Sequence, residues 1–166
     1  MKACFAGGCF WCITPVFKIY GVDTVVSGYS GGDEVDPKYE DVKAQRTGHR
    51  EAFMLEYDEA NVAYETLMEI FLANVDPFDA EGQFIDKGFS YTLAVYYMDD
   101  KQKEIAERMI AKLEEENGKK AAIALEPYKS FYPAEEYHQD FYLKNPEKFK
   151  AEIIESGRTN YDFSQN

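Results

Sequence analysis

Cys4, Cys9 and Cys12 are the only cysteines of this chain, and all three fall within its first twelve residues. Cys9 follows Gly7-Gly8 at the start of an apolar run. A helix beginning there would aim unpaired backbone N–H groups and the positive end of its dipole at the sulfur, which favours a thiolate. Such a cysteine is a candidate nucleophile, and a cysteine that merely fills core space is the plain alternative. Cys9-Phe10-Trp11-Cys12 has the Cys-x-x-Cys spacing of redox motifs, in which a second thiol can close a disulfide on the first. Positions three apart at a helix start can approach the Cα separation of about 4.4 to 6.8 Å that a disulfide tolerates. Zinc uses the same spacing, but a tetrahedral site wants four ligands, and only Cys4, His49 and His138 remain to complete one, none at finger-like spacing.

These residues must be held by the elements around them. Lys2 to Ala6 reads as a short strand, Gly7-Gly8 as a turn, and Phe10 to Ile19 as an apolar helix that tolerates Pro15 only near its first turns. The cysteines therefore straddle a strand-to-helix junction. Thr24 to Gly28 is a second strand candidate, and a glycine-rich loop, Gly28-Tyr29-Ser30-Gly31-Gly32, opens a polar excursion as far as His49. A stretch of that kind without a core pattern points to a functional loop. Glu51 to Tyr57 is β-prone, and Asn61 is expected to cap a helix carrying Tyr64, Leu67, Met68 and Phe71 on one face. Tyr91 to Tyr97 is a strand, and Asp99 or Asp100 opens a helix with the stripe Ala106, Met109, Ile110 and Leu113 that Gly118 stops. Ala121 to Leu125 follows as a strand. Tyr128 to Asn166 is aromatic and charged, with short helical pieces and a loosely held tail from about 156. Alternating strands and helices imply an α/β or α+β sandwich, and without repeats or linkers the 166 residues are expected to form one domain.

Composition narrows the function. With 45% hydrophobic and 30% charged residues, the chain can bury a core and stay in solution. Eighteen basic against thirty-one acidic side chains give a net charge of −13, which argues against nucleic acid and anionic membranes as partners. The opening residues lack the regions of a signal peptide and no run approaches a membrane span, so a cytoplasmic protein is expected. Cysteines confined to one end cannot staple the rest of the chain, which excludes a secreted disulfide scaffold.

Eight ordered strings carry a resemblance. Gly8-Cys9-Phe10-Trp11, Gly28-Tyr29-Ser30-Gly31-Gly32, Pro37-Lys38-Tyr39, Thr47-Gly48-His49-Arg50-Glu51, Asp76-Pro77, Gly82-Gln83-Phe84, Asp86-Lys87-Gly88 and Tyr132-Pro133-Ala134-Glu135-Glu136-Tyr137-His138-Gln139 span most of the chain. Together they resemble the peptide methionine sulfoxide reductases of the A type, thiol enzymes that reverse methionine S-oxidation. The resemblance implies a single-domain, two-layer sandwich, a mixed sheet flanked by helices in a ferredoxin-like plait with extensive coil. It implies reduction of methionine S-sulfoxide, free or in proteins, with no metal or organic cofactor and with an external thiol reductant: thioredoxin, glutaredoxin with glutathione, or dithiothreitol. A monomer is expected.

Carried residue by residue, the resemblance makes Cys9 the nucleophile and Glu51 the acid, with Tyr39 and Tyr91 as uncharged hydrogen-bond donors to the sulfoxide oxygen. Phe10 and Trp11 become the apolar wall for the substrate methyl group, and Asp86 helps organise the pocket. His138 lies in a family-like string but receives no catalytic role. A sulfenic acid left on Cys9 must be cleared by a second thiol. Relatives often keep that thiol in a C-terminal tail or in the segment that here reads Gly82-Gln83-Phe84-Ile85-Asp86, and this chain has no cysteine beyond position 12. Cys12 is the leading internal candidate, with Cys4 and an external thiol as the others. Thr14 stands five positions after Cys9, where most relatives carry glutamate. A thioredoxin-like dithiol oxidoreductase working through Cys9 and Cys12 is one rival, and a catalytically lapsed binder of oxidised methionine segments is another.

Overall fold

The computed structural model of the chain describes residues 1–158. Its strands are β1 (Lys2–Gly7), β2 (Val22–Ser30), β3 (Arg50–Tyr57), β4 (Gly82–Gln83), β5 (Asp86–Lys87), β6 (Leu93–Tyr97), β7 (Ile123–Pro127) and β8 (Phe131–Pro133). Its α-helices are α1 (Phe10–Ile13), α2 (Tyr39–Lys43), α3 (Tyr64–Ala73), α4 (Asp100–Asn117), α5 (Phe141–Lys144) and α6 (Pro146–Ser156). Six strands form one sheet in the order β7-β6-β1-β3-β2-β8, antiparallel except for the parallel pair β6–β7. Within it β1, α1, β2, β3, α3 and β6 make a βαββαβ unit whose strands lie in the order β6-β1-β3-β2, the ferredoxin-like plait that the family resemblance implies. A separate hairpin pairs β4 with β5.

Alternation along β1 and β3 divides the core between the two sheet faces. Ala3, Phe5, Phe53 and Leu55 point to the helix side, where Phe17, Tyr64, Leu67, Met68, Phe71, Ile105 and Ala106 cover them. Phe5 lies at the centre of an aromatic stack with Phe17, Phe53, Tyr64 and Phe71. The other face carries a smaller cluster of Cys4, Ala6, Ala52, Met54, Ala94 and Tyr96. Cys4 and Phe5 are neighbours in sequence and opposite in orientation, a point that decides what Cys4 can reach.

Several elements differ from expectation, each for a local reason. The helix expected over Phe10 to Ile19 ends as α-helix at Ile13 and continues as a 3₁₀ turn, Thr14–Phe17, because Pro15 has no N–H to extend the ladder. α3 is capped by Ala63 rather than Asn61, whose amide instead donates to Asp58 at 2.9 Å and builds the turn before the helix. β2 runs on through Gly28-Tyr29-Ser30, since β3 on one side and β8 on the other pair with those residues. The polar excursion before His49 contains α2, and Phe89–Tyr91 forms a 3₁₀ turn rather than the start of β6. β7 begins at Ile123, two residues later than expected. Asp99 does cap α4, accepting from Gln102 N at 2.8 Å, and Gly118 ends it in the left-handed conformation. Of the tail expected from about 156, Ser156 is the buried last residue of α6, and residues 159–166 lie outside the described residues.

Candidate active site

β1 delivers the chain to the Gly7-Gly8 turn, and Cys9 stands at the cap position of α1. Gly8 has φ +85°, and a Cβ there would lie 2.7 Å from the Gln83 side chain, so only glycine lets the turn pass beneath the β4–β5 hairpin. Gln83 is fully buried and clamps that hairpin: its Oε1 accepts from Asp76 N at 2.8 Å, and its Nε2 donates to the carbonyls of Asp76 and Gly82 at 2.8 and 2.9 Å.

Glu51 lies on β3 with 1% of its surface exposed and accepts a hydrogen bond from Phe10 N at 3.2 Å. That N–H is one of the first-turn donors α1 leaves unpaired, so the acid and the cysteine-bearing turn are tied together directly. Burial pushes the Glu51 carboxyl up to about 8, outweighing the Phe10 and Tyr91 hydrogen bonds that favour its charged form, and it carries its proton at neutral pH.

Tyr39 opens α2 and Tyr91 ends the 3₁₀ turn before β6, and the two phenols converge on Glu51, Cys9 and Asp86. Burial raises both hydroxyls, so they remain proton donors at any physiological pH. Tyr39 is fixed through Glu135, which accepts from Tyr39 N at 3.1 Å with one oxygen and from Tyr29 Oη at 2.8 Å with the other. Asp86 on β5 is half-buried, and its carboxyl is raised by burial and by the nearby Glu152 charge.

Phe10 is buried against Tyr29 and Tyr39, whereas Trp11 is half-buried, with its ring centroid 6.5 Å from that of Tyr39. Trp11 stacks on Phe141 at 3.9 Å and 6° between planes, and its Nε1–H donates to His138 Nδ1 at 2.9 Å. His138 is buried and pushed down to about 4, so it is neutral and holds the indole in place. Its string in the sequence marked it; only the fold shows what it touches.

The two thiols form a hydrogen-bonded pair. The bond to Cys12, burial, and the negative charges of Cys12, Glu51 and Asp86 raise Cys9 well above the ordinary thiol range. Cys12 is lowered by the bond from Cys9 and by Arg158, against burial and the charges of Asp86 and Glu152. The pair thus gives up one proton more readily than a lone thiol and holds the second tightly. α1 is four residues long and its Phe10 N–H is spent on Glu51, so the helix start offers Cys9 less support than a longer helix would. Cys4 sits on the opposite face of the sheet and is 1% exposed, with its thiol pushed up to about 12 by burial.

Thr14 turns its hydroxyl back onto Phe10 O at 2.7 Å and so contributes only to α1. His49 is buried, accepting from Gly32 N at 3.2 Å and bonding Glu34 O at 2.8 Å, which latches the loop carrying Tyr39. Gln83, Glu135 and Arg158 were not singled out as site residues from sequence. Gln83 and Glu135 lie within family-like strings, and Arg158 carries no local signal.

The family profile described as "Peptide methionine sulfoxide reductase" matches residues 1–165. The chain is 46% identical over 160 residues to the peptide methionine sulfoxide reductase MsrA of Listeria monocytogenes, covering 95% of this chain and 90% of that protein. It is 46% identical over 162 residues to the MsrA of Bacillus velezensis, covering 96% and 92%. Among solved structures, reduced Mxr1 from Saccharomyces cerevisiae superposes with a TM-score of 0.83 at 28% identity, covering 89% of this chain and 86% of that one. Mxr1 has also been solved in complex with Trx2, a form that matches at 19% identity with a TM-score of 0.57, covering 85% and 84%.

Proposed function

The chain belongs to the peptide methionine sulfoxide reductase family, and from that premise we propose how its own residues carry out the reduction. The protein is an oxidoreductase acting on methionine sulfoxide. One observation carries the assignment of roles: the buried, protonated Glu51 carboxyl is hydrogen-bonded to the backbone of the turn that bears Cys9, so nucleophile and proton donor are held as one unit.

In the first step Cys9 sulfur attacks the sulfoxide sulfur while its proton passes along the existing bond to Cys12. Glu51 delivers its proton to the sulfoxide oxygen, and the Tyr39 and Tyr91 hydroxyls donate hydrogen bonds to that oxygen as its charge grows. The hydroxyl then passes from the substrate sulfur to Cys9 sulfur as the sulfur–sulfur bond of the adduct breaks and returns its electron pair to the substrate, so methionine leaves and Cys9 keeps the oxygen as sulfenic acid. Trp11, backed by Phe141 and held by His138, offers the apolar surface for the methyl group, and Asp86 helps organise the pocket. The S-diastereomer is the proposed substrate, in proteins or as the free amino acid.

In the second step Cys12 sulfur attacks Cys9 sulfur, the S–O bond breaks, and hydroxide leaves as water with the proton Cys12 had held. The i, i+3 placement within one turn supports Cys12 in this role, as does their hydrogen bond. Cys4 would have to cross the sheet to reach Cys9. An external dithiol then reduces the disulfide. A thioredoxin is the proposed donor, supported by the Trx2 complex of the yeast relative, with glutaredoxin and glutathione as the other thiol source. Such a cycle needs a reducing compartment, and we place the protein in the cytoplasm as a monomer. Among the described residues no helix is long and apolar enough to cross a membrane.

Trapping tests the order of events. Cys12→Ser protein given a methionine S-sulfoxide peptide without reductant should form about one methionine per chain and accumulate a Cys9 adduct with a sulfenic-acid-specific dione. Methionine release with no adduct on Cys9, or an adduct elsewhere, contradicts these roles.

A further inference from the structure

The end of α6 returns to the active site through a residue outside every recognised string. Gly157, at φ +78°, reverses the chain after Ser156 and sends Arg158 back toward α1. The Arg158 guanidinium donates to Asn74 O at 2.9 Å and to Gly7 O at 3.5 Å, and it lies over the Phe84 ring at 4.5 Å from its centroid. Its Nη2 is 3.5 Å from where a Cβ on Gly8 would stand, so the charge rests on the turn that presents Cys9. One side chain therefore joins the C-terminal helix, the end of α3, the β4–β5 hairpin and the catalytic turn. The buried face of α6 meets the same place, with Phe149 and Ile153 packed around Cys12 together with Phe141 of α5.

We infer that Arg158 is the positioning residue of the resolving thiol, holding the cap of α6 on the Gly7-Gly8 turn and presenting a fixed positive charge to Cys12. This rests on Cys12 being the resolving cysteine. Among the described residues, the charged and titratable groups acting on Cys12 include Cys9, Glu51, Asp86, Glu152 and Arg158; Asp86 and Glu152 oppose a thiolate there, and Arg158 favours one. Once Cys9 has become sulfenic acid, its thiol no longer donates to Cys12, and Arg158 is the cationic support left for the attacking sulfur. The first step depends less on Arg158, because while both thiols are present the bond from Cys9 is the larger of the two influences that lower Cys12 and ready it to take the Cys9 proton.

The test separates the two steps in one protein. Wild type, Arg158→Met and Arg158→Lys are mixed with one equivalent of a methionine S-sulfoxide peptide without reductant. Samples are then quenched with an alkylating agent and weighed by mass spectrometry from pH 6 to 10. Arg158→Met should release methionine within about threefold of the wild-type rate and close the Cys9–Cys12 disulfide about tenfold more slowly at pH 7, as expected when a smaller fraction of the attacking thiol is ionised. The gap should narrow as pH rises, and Arg158→Lys, which keeps the charge without the two carbonyl bonds, should recover most of the rate. Disulfide closure at the wild-type rate across the range overturns the inference. So does slowing that is equal at every pH and not rescued by lysine, which is the mark of a merely structural contact. Loss of a single thiol by the wild type would instead refute Cys12 as resolving thiol, and the role of Arg158 with it, a result readable without any variant.

Discussion

Replacing Glu51 with glutamine removes a proton donor while keeping an acceptor for Phe10 N, and its consequences can be worked through from the burial of the carboxyl. The folded group titrates at about 8 against an ordinary 4.5, so between those values the native state holds a proton that the unfolded chain has released. Native stability must therefore fall as pH rises through this window. Taking about 1.36 kcal/mol per unit, the loss between pH 5 and 8 is roughly 3 kcal/mol. Glu51→Gln has no such proton, so its stability relative to wild type should improve by about that amount over the same interval, measured by urea unfolding under reducing conditions. Kinetically, the single-turnover release of methionine by wild type should decline above pH 8 as the acid ionises. The variant should be slower by about 10²-fold or more with little change in substrate affinity, and should lose that declining limb. A variant whose stability difference from wild type is flat between pH 5 and 8, or whose sulfoxide step keeps the wild-type rate, refutes the assignment of a buried, protonated acid.

Other substitutions probe the remaining parts. Cys9→Ser should abolish methionine formation from either diastereomer, read by chromatography of the released amino acid. Cys12→Ser should keep one turnover and lose recycling by thioredoxin, seen as a burst without a steady state. Tyr39→Phe and Tyr91→Phe should each slow the sulfoxide step by about tenfold, as removal of one hydrogen bond to a developing charge costs about 1.5 kcal/mol, and a full rate in both would remove the phenols from the mechanism. Cys4, buried on the far face of the sheet with its thiol pushed up to about 12, should resist alkylation in the native protein, and Cys4→Ala should turn over normally.

Much of this architecture was legible because hydrophobic period and turn chemistry agree along β1, β3, α3 and α4. The helix opened by Asp99 is fixed by contacts close in sequence, its cap on Gln102 N and its stop at Gly118, which is where pattern is informative. β8 was missed because three residues carry no period, and the β4–β5 hairpin because its clamp, Gln83, acts through side-chain bonds to a loop seven residues away. The site was legible only through its strings. Nothing local distinguishes Glu51 from thirty other acidic residues until β3 buries it behind α1, and Arg158 acquires meaning only when α6 folds back across the chain's first turn. Cys4 shows the converse: it lies five positions before Cys9 in sequence, yet strand alternation sends it to the other side of the sheet.

In the proposed turnover Cys9 is the nucleophile and Cys12 its resolving partner. Fully reduced protein, mixed with each diastereomer of a methionine sulfoxide peptide in the absence of reductant, should yield about one methionine per chain from the S form, none from the R form, and a loss of two thiols that peptide mapping assigns to Cys9 and Cys12. No methionine from either form, or loss of Cys4 in place of Cys12, would contradict it.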